Sequence, residues 1–148
     1  MSKATLDRIE ASCLARGVRF TAQRRRVFLA LCEAGGPVGA YDIMQALDEK
    51  AVDGAPKTAP PTVYRALEFL QAQGFVHRIA SIQAFVACAE PGHKHSGQFL
   101  ICPDCGRVDE LDDERLGRSV GEAAAARGFA SNRQIEVTAL CDECHAQG

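Results

Sequence analysis

The 148-residue chain predicts an α+β protein, with an N-terminal winged helix-turn-helix domain followed by a C-terminal α/β domain built around a cysteine cluster. Three observations carry this. Four stretches with helical apolar spacing precede two short β-prone runs, the order that a winged helix requires. Two Cys-x-x-Cys pairs, Cys102 with Cys105 and Cys141 with Cys144, bracket the last third of the chain. Charge also changes sign: residues 1–83 carry 11 Lys and Arg against 8 Asp and Glu, and residues 84–148 carry 6 against 11. The expected division is a DNA-binding head over 1–83 and a metal-binding second part that begins after the turn at Glu90-Pro91-Gly92.

At 47% apolar and 24% charged residues the composition is that of a globular protein. No apolar run is long enough to span a membrane, and the stretch Met1 to Asp7 lacks the apolar core of a signal peptide. The expectation is a cytoplasmic protein. There, seven cysteines read as metal ligands, catalytic thiols or small core residues more readily than as disulfides. A basic head on an acidic tail points to a polyanionic partner, with phosphate the obvious one. No Gly-x-Ser-x-Gly, P-loop or His-Glu-x-x-His occurs. The chain is therefore expected to be no enzyme and to take no small-molecule substrate.

The elements follow in order. Leu6, Ile9, Cys13 and Leu14 recur at helical spacing from Ala4 to Arg16, and Gly17 ends that helix. Thr21 caps a second helix, Ala22 to Glu33, which buries Val27, Phe28, Leu31 and Cys32 and stops at Gly35. Its first turn holds Arg24, Arg25 and Arg26, a solvated face that can also meet phosphate. A third helix over 40–49 buries Ile43, Met44 and Leu47, and residues 52–59 form a loop. Pro60 and Pro61 open the fourth helix, where proline's missing N–H costs nothing. Val63, Ala66, Leu67 and Leu70 make its inner stripe, while Tyr64, Arg65 and Glu68 face the other way. Residues 75–79 and 84–88 make a hairpin around Ser81. In such an arrangement the first turns of the last helix enter the major groove, with Arg65 at a guanine edge and Tyr64 against a thymine methyl. An ordinary helical subdomain with a surface Tyr-Arg pair fits the same periodicity.

Beyond the turn at Glu90-Pro91-Gly92, strands are expected over 98–102 and 107–111, flanking the knuckle from Cys102 to Gly106. A helix follows over 113–127, stopped by Gly128. A third strand over 133–140 should place Ile135, Val137 and Ala139 on one face. Cys102, Cys105, Cys141 and Cys144 supply four thiolates, which satisfy tetrahedral structural zinc with no open position. The alternatives are a redox pair at Cys102 and Cys105, or unligated thiols. A second, scattered set combines His77, Cys88, His95 and Glu110, whose N, S, N and O donors suit zinc. A surface His77, a core Cys88 and a solvated Glu110 are the plain alternatives. His93 is spare.

Together these residues resemble the ferric uptake regulator family, and within it the zinc-sensing branch. Pro60 through Leu70 resembles that family's recognition helix, Gly74-Phe75-Val76-His77 its entry into the wing, and the two cysteine pairs its structural zinc site. The resemblance implies a homodimer, each chain carrying a winged-helix DNA-binding domain over 1–83, a hinge over 84–90 and an α/β dimerisation and metal-binding domain over 91–148. It implies metal-dependent repression at AT-rich inverted repeats in double-stranded operator DNA. It also implies two zinc ions per chain: a structural one at Cys102, Cys105, Cys141 and Cys144, and a regulatory one at His77, Cys88, His95 and Glu110. The DNA-contacting set expected is Thr62, Tyr64, Arg65, Arg24 and Tyr41. The chain departs from iron-sensing members at Gly92-His93-Lys94-His95, which has only two histidines where they show a denser motif. A member responding to iron or peroxide, and a constitutive zinc-stabilised nucleic-acid-binding module, are the competing readings.

Overall fold

The computed structural model describes residues 3–91, 97–130 and 134–147. The chain forms two compact units, Met1–His93 and Lys94–Gly148. No helix among the described residues is long and apolar enough to cross a membrane.

Unit 1 begins with four helices, α1 (Lys3–Ala15), α2 (Ala22–Ala34), α3 (Ala40–Glu49) and α4 (Pro60–Ala72). Ile9 and Cys13, four residues apart on α1, are buried. Leu14, expected on the same face, is instead 83% exposed. One residue beyond Cys13 is a 100° step around the helix, which carries its side chain out of the contact. The Thr21 hydroxyl accepts the Arg24 N–H at 3.4 Å and caps α2. α2 then buries Val27, Phe28, Ala30 and Leu31 and ends on Gly35 at φ 68°, which a side chain would disfavour. Cys32 is only half-buried, and burial pushes its thiol up to about 11.

α3 buries Ala40, Ile43 and Leu47, with Met44 half-buried. The loop after it is tied down just ahead of α4, because Asp48 Oδ1 accepts the Thr58 N–H at 2.7 Å. The Thr58 hydroxyl and N–H hold the Asp48 carboxyl below its ordinary value. α4 buries Val63, Ala66, Leu67 and Leu70. Arg16, just past α1, donates from Nη1 to the Gln73 carbonyl at 2.9 Å and to Gln73 Oε1 at 3.1 Å. The free carbonyl end of α4 is thus satisfied by a cation.

β1 (Val76–Ile79) and β2 (Ala84–Ala87) pair antiparallel, from Val76 opposite Ala87 to Ile79 opposite Ala84. A single 3-10 turn, Ala80–Ile82, joins them. Val38 exchanges both backbone hydrogen bonds with Phe85, at 2.9 and 2.8 Å, so the α2–α3 connection adds a bridge beside β2. Residues 84–87 of the expected hinge therefore lie within the wing, paired along the length of β1. The core of this unit gathers Ile9, Phe28, Leu31, Leu67 and Phe75 among others, all from residues of the unit itself.

Unit 2 contains β3 (Gln98–Ile101), β4 (Val108–Leu111), α5 (Glu114–Ala125), β5 (Ile135–Thr138) and the short α6 (Asp142–His145). The strand order is β4-β3-β5, with β4 antiparallel and β5 parallel to β3. Asp113 caps α5, accepting the N–H of Arg115 at 2.8 Å and of Leu116 at 3.3 Å. Gln98 is fully buried and donates from Nε2 to the Asp113 carbonyl at 2.8 Å, locking the start of β3 to the start of α5. Gly117 leaves it room, since a Cβ there would sit 3.1 Å from that nitrogen. The alternation expected of β5 is not matched by burial: Ile135 is half-buried but Val137 is exposed. β5 is an edge strand, α5 has no buried residue, and Phe129 and Leu140 are also exposed. The apolar face is present in the sequence, and the described elements of this unit leave it uncovered.

Two substitutions on α1 test which face is inward. Ile9→Ala should cost about 2–5 kcal/mol in urea unfolding, whereas Leu14→Ala should stay within about 0.5 kcal/mol. Equal losses would mean that Leu14 is packed in solution.

Candidate metal centre and nucleic-acid face

Four cysteines from two distant stretches meet in unit 2. Cys102 and Cys105 flank a tight knuckle between β3 and β4, in which Gly106 takes φ 74° and returns its N–H to the Cys102 carbonyl at 3.0 Å. Cys141 and Cys144 lie at the start and within the single turn of α6, with 35 residues between Cys105 and Cys141. The parallel pairing of β5 with β3 delivers them, since Thr138 lies opposite Ile101. The sulfur atoms all lie within 4.8 Å of one another, and Cys105 Sγ is 3.7 Å from Cys141 Sγ. A tetrahedron of thiolates at about 2.3 Å from zinc has sulfur–sulfur edges of about 3.8 Å, so the cluster fits the ion.

Its electrostatics fit as well. Backbone N–H groups of Cys105 and Cys141, then Asp104, draw the Cys102 thiol down to about 6. The Arg107 N–H lowers Cys105, but the Cys102 and Cys141 thiols beside it outweigh that and raise it. Cys144 is driven up by Cys141 first and then Cys105. The Cys102 thiolate forms readily, while Cys105 and Cys144 are held back by the thiols beside them. A divalent cation in the centre removes that penalty, so the cluster is consistent with a structural zinc site. Arg107 braces it from outside, bonding Asp142 at 3.0 Å and Asp109 at 3.0 Å. That clamp ties β4 to α6. Sequence reading missed it, and the one available signal was a basic residue directly after the knuckle.

Of the second expected ligand set, His77 and Cys88 belong to unit 1. His77 lies on β1 opposite Val86, and Cys88 follows β2, its N–H on the Phe75 carbonyl at 2.9 Å. Positions 75, 77, 86 and 88 share one face of the hairpin by strand alternation. Ligand atoms of His77 and Cys88 lie within 4.8 Å. Glu110 is in unit 2, half-buried on β4 opposite Phe99. His95, and the spare His93, lie outside the described residues.

The expected DNA-contacting residues all fall in unit 1. Thr62, Tyr64 and Arg65 are exposed on the first half of α4, opposite its buried stripe, with Tyr64 54% exposed. Tyr41, 74% exposed on the first turn of α3, lines a groove shared with Thr58 and Pro60 at the entrance to α4. Arg24 differs, being half-buried with its guanidinium carbon 3.6 Å from the centroid of the Phe69 ring. A groove of about 690 Å³ runs between α4 and the wing, lined by Tyr64, Arg65, Glu68, Arg78 and Gln83. Arg78 and Gln83 were not anticipated. The signal that could have found them is their place on a hairpin that follows an exposed helix.

The comparisons with known proteins agree with this architecture. The model of the ferric uptake regulator family matches residues 15–138. The zinc uptake regulation protein of Escherichia coli K12 is 38% identical over 143 residues, covering 94% of this chain and 80% of the relative. The crystal structure of holo XcZur is 39% identical and covers 98% of this chain and 99% of its own, with TM-score 0.84. A zinc uptake regulator complexed with zinc and DNA is 36% identical and covers 98% of this chain and 95% of its own, with TM-score 0.86. The winged unit, the four-thiol cluster and these likenesses together make the chain a member of the ferric uptake regulator family.

Proposed function

We propose that this protein is a cytoplasmic, zinc-responsive transcriptional repressor. As a homodimer with its regulatory zinc site filled, it binds AT-rich inverted-repeat operators of zinc uptake genes. The observation that carries the reading is the outer face of α4, where Thr62, Tyr64 and Arg65 stand exposed beside a wing and opposite a fully buried stripe. A helix so presented suits the major groove, where Arg65 would take a guanine edge and Tyr64 a thymine methyl. Thr62, Tyr41 and Arg24 complete the contact set. Likeness to a zinc uptake regulator complexed with zinc and DNA supports the same assignment.

Two zinc ions per chain have different tasks in this reading. The ion at Cys102, Cys105, Cys141 and Cys144 is structural, since four protein ligands leave no position for regulation or chemistry. The regulatory ion takes His77, Cys88, His95 and Glu110. Support comes from the imidazole and thiol that the wing brings within 4.8 Å, a donor pair that favours zinc over harder ions. The homodimer is supported by the apolar surface left bare on unit 2, including Val120, Phe129, Val137 and Leu140. Two such chains would offer two α4 helices to half-sites about 34 Å apart.

Native mass spectrometry should find two zinc ions per chain, one removed by mild chelation and one retained. A hundredfold tighter operator binding with zinc corresponds to about 2.7 kcal/mol of coupling, and operator should tighten zinc binding by the same factor. Zinc affinity indifferent to operator would refute the sensor and leave a constitutive module. Arg65→Ala should cost about 1–3 kcal/mol on operator and relax specificity at one base. A matching loss on random DNA would instead make Arg65 a phosphate contact. Cys88→Ser should abolish the zinc response while circular dichroism and melting stay near wild type. Unfolding of that variant would assign Cys88 to the core.

A further inference from the structure

Three consecutive arginines open α2, and they have different surroundings. Arg25 pairs with Glu10 of α1, and Arg26 is exposed. Arg24 turns inward. Its guanidinium lies over the ring of Phe69 on α4, 3.6 Å from the centroid, and Nη1 donates to the Arg19 carbonyl. Its backbone N–H meanwhile satisfies Thr21 at 3.4 Å. One side chain thus joins the α1–α2 connection, the first turn of α2 and the flank of α4.

Phe69 is half-buried and packs against the core of unit 1, four residues after Arg65 and five after Tyr64 on the same helix. A ring held there resists rotation of α4 about its own axis. Rotation is the motion that would carry the tips of Tyr64 and Arg65 furthest from a base edge, and recognition tolerates misplacement of only about 0.5 Å. A guanidinium suits this task, because such a planar group can stack on an aromatic face while its N–H groups donate to a carbonyl. An ammonium can do neither in the same way.

We propose that Arg24 is a positioning residue for the base-reading helix, acting through Phe69, and not a phosphate contact. This rests on the DNA-binding reading above and revises within it the role of Arg24 alone. The test uses full-length, zinc-loaded protein and two duplexes: an AT-rich inverted repeat selected from a random pool by the unsubstituted protein, and its scrambled counterpart. Arg24→Lys, Arg24→Gln, Phe69→Leu and the double variant Arg24→Gln/Phe69→Leu are compared well below their melting temperatures.

Positioning predicts that each single variant loses about tenfold affinity for the selected duplex and stays within about twofold on the scrambled one. The salt dependence should keep its slope, and the double variant should be no worse than the weaker single. A phosphate contact predicts the reverse: Arg24→Lys binds normally, and Arg24→Gln weakens both duplexes equally. The slope then falls by about 0.9 for each phosphate lost, or about 1.8 per dimer. That result overturns the proposal, as does unchanged affinity in folded Arg24→Gln, which would make the stack purely structural. Should Arg24→Gln fail to fold, Arg24→Lys and Phe69→Leu decide the matter by the same criteria. Failure of the unsubstituted protein to select any duplex overturns the DNA-binding reading itself, and it is seen before any variant is made.

Discussion

Val63, Ala66, Leu67 and Leu70 on the inner stripe of α4 are sealed into the core of unit 1, and that burial fixes which side chains the helix leaves outside. Everything proposed for DNA follows from it. A helix offers one rotation that buries those four, and in that rotation Thr62, Tyr64, Arg65 and Glu68 are exposed. The neighbouring elements then hold the rotation and the ends. Arg16 closes the carbonyl end, Arg24 braces the flank through Phe69, and the Asp48–Thr58 bond anchors the chain just before Pro60. The face proposed for DNA is thus a by-product of packing, built from residues the core rejects.

Unit 2 works under the opposite constraint. Its three strands have four residues each, and α5 buries none of its own. Burial alone holds such a small sheet poorly. Phe99, Ile101 and the fully buried Gln98 pin β3 in place. The thiol cluster then fastens α6 to the knuckle. Because Cys105 and Cys144 are raised by the thiols beside them, a cation held at the cluster would strengthen this fastening in a way that an apolar contact does not need. Arg107, bonded to both Asp109 and Asp142, adds a clamp made of ordinary ion pairs around it.

Most of this was legible in the sequence, for identifiable reasons. Proline at the start of α4, threonine before α2 and glycine after it are local signals whose effect is local. Helical periodicity found the inner stripes. It failed at Leu14, because a run of apolar residues does not say where the stripe stops. α6 was missed because four residues cannot display a period. β5 alternates in sequence, yet alternation says which face is apolar and not whether anything covers it. The four thiols announced themselves through paired spacing. Arg24 did not reveal its place: a charged residue in a basic run looks solvated until the fold supplies an aromatic ring beneath it.

The parallel pairing of β3 with β5 has a consequence for synthesis. Unit 1 draws its core from residues that precede Cys88, so it can settle while the rest of the polypeptide is still on the ribosome. The sheet of unit 2 cannot close until residues 135–138 have emerged and passed back alongside residues 98–101. Cys141 and Cys144 arrive later still. Cys102 and Cys105 therefore wait as an open dithiol through the translation of 35 further residues, exposed to oxidants and to adventitious soft metals. With zinc at the four thiols, maturation would be tied to a reducing environment and to the metal supply at the moment α6 leaves the exit tunnel.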